Sequence, residues 1–300
     1  MSEQDPYRAG FACFVGRPNA GKSTLTNAIL GSKIAITSSR PQTTRHIIRA
    51  IVHRENSQLI LVDTPGLHRP RTLLGQRLND LVRQTWTEVD AIGLCIPANE
   101  KVGPGDRFIT KEISELRAKL VAVVTKADLV SKDQLAQQLM AVSKMGDFAD
   151  IVPCSAETGF NVDVVSEVLS QHLPESPQLY PDGMITEEPE RVMMAEMIRE
   201  AALEGVRDEL PHSIAVVIED MMDEETDSGP RRRIFAEIYV ERKSQKSIVI
   251  GRQGERLKRV GTRARKQIAA LIDQRVYLDL HVRVAKEWQR DPKLLQRLGF

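Results

Sequence analysis

The sequence predicts two domains: an α/β domain built on a mixed, mostly parallel sheet with helices on both faces, and a smaller α+β domain after it. Up to about residue 172, short and continuously apolar runs alternate with amphipathic stretches, as strands buried on both faces of a sheet require. Three prolines and a glycine then fall within residues 173–183. Beyond that segment the pattern becomes helix, two strands, two helices and a last strand.

These patterns set the expected boundaries. We expect a first domain over residues 1–174, a linker over 175–188 and a second domain over 189–300. The predicted strands of the first domain are 11–15, 58–63, 91–97, 120–125 and 150–154, with helices over 72–87, 104–118 and 132–145. For the second domain we predict strands 213–221, 234–240 and 276–284 and helices 189–206, 255–272 and, as one amphipathic tail, 286–300. The proline-rich linker is expected to act as a semi-stiff strap.

Composition and charge narrow the class of protein. Hydrophobic residues make up 41% and charged residues 28% of the 300 residues, which is ordinary for a globular protein. The three cysteines form no C-x-x-C pair, and no apolar run reaches the roughly 18 residues of a membrane span, so we expect a cytoplasmic protein with buried thiols. Net charge is +1, yet residues 231–275 hold fourteen Lys and Arg against four Asp and Glu. This asymmetry predicts a nucleic-acid-binding surface in the second domain.

A glycine-rich loop follows the first predicted strand and precedes an amphipathic helix. Residues 16–23 read GRPNAGKS and fit the pattern G-x-x-x-x-G-K-[ST]. The N–H groups of such a loop point at phosphate oxygens, while Lys22 reaches the β- and γ-phosphates and the Ser23 hydroxyl ligates Mg²⁺. The nucleotide-binding residues expected here are Gly16, Arg17, Pro18, Asn19, Ala20, Gly21, Lys22, Ser23 and Thr24.

Three later motifs select guanine. Asp63 ends a buried strand in the sequence DTPG, where it can hold Mg²⁺ through water. In the motif TKAD the Asp128 carboxylate can accept both the N1–H and the 2-amino group of guanine, and it would repel adenine. The Ala156 N–H can meet guanine O6. The sequence therefore predicts a Mg²⁺-dependent GTPase that converts GTP to GDP, with further nucleotide-binding residues at Asp63, Thr64, Pro65, Gly66, Thr125, Lys126, Asp128, Ser155, Ala156 and Glu157.

The second domain carries an apolar segment, G-x-x-G and a helix, which is the signature of a KH module that binds single-stranded RNA. Two glycines flanking polar residues let the backbone approach phosphates closely. Aromatic residues are sparse in this segment, so hydrogen bonding and backbone contacts are expected more than ring stacking. The RNA-binding residues expected are Ile248, Val249, Ile250, Gly251, Arg252, Gln253, Gly254, Arg256 and Lys258.

Together the motifs GRPNAGKS, SSRPQTTRH, DTPGLH, TKAD and SAETG, followed by the basic G-x-x-G segment, resemble the Era family of bacterial GTPases with a type II KH domain. The resemblance implies a monomer that is switched by GTP and GDP, binds the 3′ end of small-subunit ribosomal RNA and assists assembly of the 30S subunit. It assigns Thr44 to the Mg²⁺ shell, and with Lys22 and Asn19 to catalysis. It also implies a K⁺ ion at Asn19. Thr125 departs from the Asn usual in the family.

Several readings stay open at this point. Leu67 stands where many GTPases carry a Gln that orients water, so either turnover is slow or another group does this work. Asn19 could instead only stabilise a turn, and residues 37–46 could be an ordinary polar loop. The competing function is a nucleotide-gated adaptor of the cell cycle or of the inner face of the cell membrane, in which RNA binding is secondary.

Overall fold

The computed structural model describes residues 6–36, 44–67, 70–206, 210–227 and 229–300, apart from the side chains of residues 211 and 212. These residues form two compact units. The first ends at Glu187 and the second runs from Glu188 to Phe300, and Pro70–Arg77 groups with the second. Thr43 lies outside the described residues, as do residues 37–42 of the polar loop.

The first unit has the predicted α/β class. Its strands are β1 (Arg8–Val15), β2 (Ile48–Arg54), β3 (Ser57–Asp63), β4 (Ala91–Pro97), β5 (Lys119–Thr125) and β6 (Asp150–Pro153). Its helices are α1 (Lys22–Leu30), α2 (Leu73–Glu88), α3 (Pro104–Ser114), α4 (Lys132–Ser143) and α5 (Val162–Gln171). Among the described residues the six strands form one sheet in the order β2-β3-β1-β4-β5-β6. Neighbouring strands are parallel except for β2, which is antiparallel to β3.

The burial of each strand explains why some strands were predicted from the sequence and β2 was not. Every residue of β3 and of β4 is buried, so their apolar runs are continuous. Strand β2 is absent from the predicted strands because Arg49, His53 and Arg54 interrupt its apolar run. It lies at one edge of the sheet, where its outer side is not covered by another named strand of the described chain. The edge position explains why β2 tolerates these polar residues.

The predicted linker does not leave the first unit as a strap. Gln58, at the start of β3, is fully buried. Its Oε1 accepts hydrogen bonds from the backbone N–H groups of Leu179 (2.8 Å) and Tyr180 (2.9 Å), and its Nε2 donates to the Tyr180 carbonyl (2.8 Å). The backbone N–H of Ile51 donates to the Ile185 carbonyl at 2.9 Å. The linker therefore lies along the open edge of the sheet.

Further contacts extend this docking to the end of the first unit. Thr186 forms an antiparallel bridge with Ala50 of β2. The Arg49 guanidinium pairs with the Glu187 carboxylate at 2.6 Å, with both side chains about one-third exposed. Surface pairs of this kind contribute little to stability, so we expect the attachment to depend more on the hydrogen bonds that Gln58 and Ile51 make with the linker.

The second unit is an α+β fold. Its elements are α6 (Glu190–Leu203), α7 (Leu210–Ser213), β7 (Ala215–Thr226), β8 (Gly229–Val240), α8 (Lys243–Ile250), α9 (Glu255–Ile272), β9 (Arg275–Val284) and α10 (Pro292–Arg297). Strand β8 is central, antiparallel to β7 and parallel to β9. Alternate residues of β8 and one face of α9 meet in the core, as periods of two and 3.6 require; these are Ile234, Ala236, Ile238, Val260, Ala264 and Ile268.

The tail differs from the prediction of one helix over residues 286–300. Only Pro292–Arg297 is helical, because Pro292 can start a helix but cannot continue one from upstream. The Asp291 carboxylate caps this helix by accepting from the N–H groups of Lys293 and Leu294. Trp288 is fully buried and its indole N–H donates to the Ser213 carbonyl at 3.0 Å. The tail is thus anchored by one buried aromatic residue.

Replacing Gln58 tests whether the linker is fastened to the sheet. Gln58→Ala removes three partly buried hydrogen bonds to the linker backbone, so it should lower the free energy of unfolding by about 1–3 kcal/mol and expose residues 175–187 to proteolysis. Urea unfolding and limited proteolysis with mass spectrometry measure both effects. The control Gln84→Ala removes an exposed glutamine of α2 that bonds only Glu88, and it should change neither. Unchanged cleavage in Gln58→Ala would contradict the docking.

Candidate functional site

Glycines and left-handed backbone conformations define the shape of the loop between β1 and α1. Asn19 and Gly21 adopt left-handed backbone conformations, with φ of 63° and 90°. A Cβ on Gly16 would lie 2.6 Å from the carbonyl oxygen of Cys95, so only glycine fits there. Gly21 is the residue before the first turn of α1, whose N–H groups have no partners within the helix. The loop and the helix N-terminus together favour a bound anion.

Lys22 is held across this loop. Its side chain is 8% exposed, and its Nζ donates to the carbonyls of Gly16 (3.2 Å) and Arg17 (3.0 Å). Burial lowers the pKa of Lys22, while nearby Asp63 opposes that shift. A phosphate next to Nζ would favour the charged ammonium group further. The carbonyl groups of the phosphate loop therefore fix the position of the Lys22 ammonium group.

Three oxygen-bearing side chains converge beside Lys22. The Ser23 hydroxyl donates to Asp63 Oδ2 at 2.8 Å and lies 3.1 Å from the Thr44 hydroxyl, and Thr44 donates to Asp63 Oδ2 at 3.3 Å. The other carboxylate oxygen, Asp63 Oδ1, is buried without a hydrogen-bond partner. Hard oxygen ligands of this kind suit Mg²⁺. Ser23, Thr44 and Asp63 would hold the ion, which neutralises phosphate charge when bound.

The environment of Asp63 fits a cation. Burial raises the pKa of Asp63 to about 6, although the hydrogen bond from Ser23 and the charge of Lys22 oppose this shift. A buried carboxylate in an apolar environment is costly unless a positive charge compensates it. No cluster of three or more His, Cys, Asp or Glu side chains able to hold a metal occurs in the described residues. The group that would hold Mg²⁺ instead consists of two hydroxyl groups and one carboxylate.

The loops after β5 and β6 form a second part of the site. The N–H of Ala127 donates to the Cys154 carbonyl at 3.1 Å, which ties the motif TKAD to the motif SAE. Asp128 lies on a short turn and is exposed. Ser155 is buried, and its hydroxyl accepts from the N–H of Thr158 at 3.2 Å. These bonds fix both loops at the same edge of the sheet.

Thr125 joins the loop of the motif TKAD to the phosphate loop. Its side chain is 4% exposed and its hydroxyl donates to the carbonyl of Ala20 at 2.8 Å. A Cβ on Gly21 would lie 3.8 Å from that hydroxyl, in ordinary contact. A hydroxyl group has a single hydrogen to donate, and here it is used on Ala20. Thr125 thus braces the phosphate loop but has no second donor for a base.

The remaining predicted residues lie around this centre. Thr64 and Pro65 are buried after β3, whereas Gly66 is half-buried, and a Cβ on it would lie 3.5 Å from Lys22 Nζ. Pro18, Asn19, Thr24 and Glu157 are exposed, while Lys126 and Ala156 are half-buried. Leu67 packs against the core of the first unit. No side-chain hydrogen bond is available to Leu67, so it cannot orient water.

Sequence reasoning missed one residue that shapes the phosphate loop. Asp106 is fully buried in the first turn of α3, and its Oδ2 accepts from the Gly103 N–H at 2.8 Å. Its Oδ1 accepts from Arg17 Nε at 2.7 Å, and Arg17 also reaches Glu100 at 3.2 Å. The Arg17 side chain is therefore held by acidic partners, and its backbone carbonyl serves Lys22. The sequence signal was an Asp three residues after Gly103, typical of a helix start.

The G-x-x-G loop connects α8 to α9 in the second unit. Gly251 has φ of 74°, and a Cβ there would lie 2.6 Å from the Arg256 Cβ. Gln253 and Gly254 are also left-handed, with φ of 50° and 80°. Arg252 and Gln253 are exposed at the tip of the loop. The turn presents its polar residues outward directly before the N-terminus of α9.

Of the residues expected to contact RNA, Val249 faces the core, and Arg256 is half-buried against the end of α6. Val249 is fully buried in the core of the second unit, because α8 turns this side chain inward. The guanidinium of Arg256 donates to the carbonyls of Ala202 (3.1 Å) and Glu204 (2.8 Å), which end α6. These contacts hold the segments on either side of the G-x-x-G loop in place. Ile248 is 50% exposed, Lys258 is exposed, and Ile250, Gly251 and Gly254 are half-buried.

Comparison with known proteins gives consistent results for both units. A family described as 50S ribosome-binding GTPase matches residues 11–126, and the KH domain family matches residues 209–289. GTPase Era of Streptomyces coelicolor is 63% identical, over 100% of this chain and 98% of that protein. GTPase Era of Mycolicibacterium paratuberculosis is 64% identical, over 98% of this chain and 99% of the relative.

Two solved structures share the whole fold. A crystal structure of Era in complex with MgGDPNP and nucleotides 1506–1542 of 16S ribosomal RNA matches with a TM-score of 0.92 and 35% identity, covering 98% of this chain and 99% of that chain. An Aquifex aeolicus Era variant bound to GDP and AlF4⁻ gives a TM-score of 0.92 and 35% identity, covering 97% of this chain and 99% of that chain.

The phosphate loop, the Ser23–Thr44–Asp63 cluster and the G-x-x-G turn define a P-loop GTPase that carries a KH domain. This class agrees with the fold predicted from the sequence. With relatives more than 60% identical over nearly its whole length, the chain belongs to the Era family of GTPases. It is a GTPase that hydrolyses GTP to GDP.

Changing Thr125 tests its bracing role. Thr125→Val keeps the shape but leaves the Ala20 carbonyl unpaired, so GDP affinity should fall by about 1–2 kcal/mol, or roughly 5- to 30-fold. Thr125→Asn should tighten GDP binding, because an amide can brace the loop and still offer a second polar group. Isothermal titration calorimetry measures both. Thr87→Val, an exposed hydroxyl of α2, is the control. Unchanged GDP affinity in Thr125→Val would refute the brace.

Proposed function

We propose that this protein is a GTP-switched RNA-binding factor for assembly of the 30S ribosomal subunit, and that its RNA is the 3′ end of the small-subunit ribosomal RNA. The observation that carries the proposal is the G-x-x-G turn with exposed Arg252 and Gln253 in a segment of net positive charge. The relative bound to nucleotides of 16S ribosomal RNA supports the identity of the RNA.

The nucleotide-binding part of the proposal assigns roles by position. Lys22 and the backbone of residues 16–24 bind the phosphates, and the Ser23, Thr44 and Asp63 oxygens hold Mg²⁺. Asp128 reads guanine, with the backbone of Ala156 as its partner in base recognition. The resemblance to the family assigns to Thr44, in the loop that precedes β2, the contact that depends on γ-phosphate.

The docked linker offers a route from nucleotide to RNA. Thr44 lies four residues before β2, and β2 binds the linker through Ile51 and Ala50. The linker leads directly into α6 of the KH domain. A change at Thr44 can therefore alter the strand that fastens the linker. We expect nucleotide state to change RNA affinity through this strand.

The coupling is measured as RNA affinity with a non-hydrolysable GTP analogue and with GDP at one salt concentration. We expect tighter RNA binding with the GTP analogue, by a factor in the range of about 5 to 150 that is typical of allosteric coupling. Linkage requires RNA to tighten binding of the analogue by the same factor. The double variant Arg252→Asp and Gln253→Asp should lose RNA in both states and keep GDP affinity. Equal RNA affinity in the two nucleotide states would rule out the switch.

A second cation is part of the proposal. Leu67 cannot orient water, and in similar GTPases the Asn at the position of Asn19 helps bind K⁺, which supplies positive charge beside the phosphates. Asn19 is exposed at the turn of the phosphate loop. Its left-handed backbone equally supports a purely structural role, because Asn tolerates this conformation well.

Exchanging the monovalent cation separates these two roles of Asn19. GTP hydrolysis should be faster in K⁺ than in Na⁺ at equal ionic strength. Asn19→Gly keeps the left-handed backbone accessible but removes the amide, so it should abolish the difference between the salts. Phosphate release under single-turnover conditions measures the rates. A parent protein with equal rates in both salts has no K⁺ site.

Localisation and assembly state follow from the same proposal. We propose a cytoplasmic monomer, with peripheral contact at the inner face of the cell membrane as the alternative. None of the described helices combines the length and apolar composition needed to cross a bilayer. Salt-sensitive recovery of ribosomal RNA with the protein distinguishes an RNA-binding role from a membrane adaptor.

A further inference from the structure

A positively charged cavity lies at the far end of α9 from the G-x-x-G loop. It has a volume of about 410 Å³, and its lining includes Thr226, Arg231, Arg265, Lys266, Arg275 and Tyr277. These residues come from the end of β7, the starts of β8 and β9, and the C-terminal half of α9. No carboxylate side chain is among the described residues that line the cavity. Such a lining favours an anionic ligand.

Part of this positive charge is not compensated nearby. Arg231 and Arg233 share one carboxylate, that of Glu224, at 2.7 and 3.2 Å. Arg265 and Lys266 are exposed, and neither makes an ion pair with any residue that the structure describes. Their charges are therefore available to a phosphate, which arginine can bind through two parallel hydrogen bonds.

The aromatic ring of Tyr277 lies close to two of these cations. Tyr277 is 42% exposed, and the guanidinium carbons of Arg231 and Arg233 each lie 5.2 Å from its ring centroid. By contrast Tyr239 is buried, and Phe235 is half-buried with Arg233 at 4.7 Å from its centroid. An exposed ring beside cations is the combination that stacks a base and binds its phosphate in single-stranded nucleic acids.

A groove along α9 runs from the residue after the G-x-x-G loop to the cavity. A shallower groove of about 610 Å³ follows the outer face of α9 and is lined by Glu255, Lys258, Arg259, Thr262, Arg263 and Lys266. Lys266 lines both the groove and the cavity. Glu255 directly follows the loop, so the track from Glu255 to Lys266 covers about 17 Å of helix.

We propose that the Tyr277 cavity is a second RNA-contact site, where Tyr277 stacks one unpaired base and Arg265 and Lys266 bind the adjoining phosphates. This inference rests on the proposed RNA-binding function, and it extends the RNA path beyond the nucleotides at the G-x-x-G loop. RNA fits better than a membrane, because the surface is concave and its exposed ring lies beside two guanidinium groups. Peripheral membrane binding uses protruding apolar side chains.

The test compares a short and a long single-stranded RNA by fluorescence anisotropy. The short RNA has four nucleotides, the number that a G-x-x-G loop clamps, and the long RNA is a segment of about 12 nucleotides from the 3′ end of small-subunit ribosomal RNA, which is long enough for an extended track. Tyr277→Ala should weaken binding of the long RNA by about 5-fold or more, as the loss of one stacked base does. Binding of the short RNA should not change, and Tyr277→Phe should retain the parent affinity for both.

The phosphate contacts are tested by salt dependence. The double variant Arg265→Ala and Lys266→Ala should reduce the slope of log affinity against log salt for the long RNA by about 1.4, since each contact to a single strand contributes about 0.7. Lys293→Ala is the matched control, because it removes an exposed cation of α10 that lines neither cavity nor groove. It should leave the slope unchanged.

Three results would overturn the proposal. Parent-like affinity of Tyr277→Ala for the long RNA would show that no base stacks there. Equal losses for both RNA lengths, with a lowered melting temperature, would show that Tyr277 acts through the fold of the KH domain. If Tyr277→Ala lost binding to phosphatidylserine vesicles and kept its RNA affinity, the surface would be a membrane-binding site. Failure of the proposed function looks different: the parent would not bind the long RNA, or the Arg252→Asp, Gln253→Asp variant would bind it normally.

Discussion

The buried carboxylate of Asp63 is the constraint on which the first unit depends. One of its oxygens accepts from Ser23 of the phosphate loop and from Thr44 of the polar loop, and the other is buried without a partner. Burial raises the pKa of this group, so the ionised carboxylate needs a compensating charge. Lys22 supplies part of it, and a divalent cation with its phosphates would supply the rest. A bound divalent cation would therefore compensate the negative charge of the Asp63 carboxylate.

The strand that ends at Asp63 begins beside Gln58, which binds the linker. A seven-residue strand buried along its whole length is rigid, so the cation site and the linker are fixed to the same element. Strand β2 adds a second connection, since it follows the loop of Thr44 and pairs with both β3 and the linker. The loop of Thr44 and the linker that precedes the KH domain are therefore both connected to β2, the first along the chain and the second through hydrogen bonds.

Helix α9 plays a comparable part in the second unit. Its inner face packs Val260, Ala264 and Ile268 into the core, and its N-terminus supports the G-x-x-G turn. Its outer face carries the basic groove. Because one rigid helix bears all three, substitutions on the outer face can change RNA contacts without disturbing the core. Substitutions on the inner face, or of Arg256, which bonds the end of α6, would disturb the packing of the second unit.

The sequence by itself determined the two fold classes, most strands of the first unit, and the motifs for phosphate, Mg²⁺ and guanine, because each is a local pattern of a few adjacent residues. The tertiary structure decided what depends on residues distant in sequence. It showed that the linker is docked through Gln58, that Asp106 holds Arg17, that Thr125 still braces Ala20, and that Val249 faces the core. It also brought Arg231, Lys266 and Tyr277 to one cavity. These contacts join residues that lie far apart in the chain, so a pattern of a few adjacent residues does not specify them.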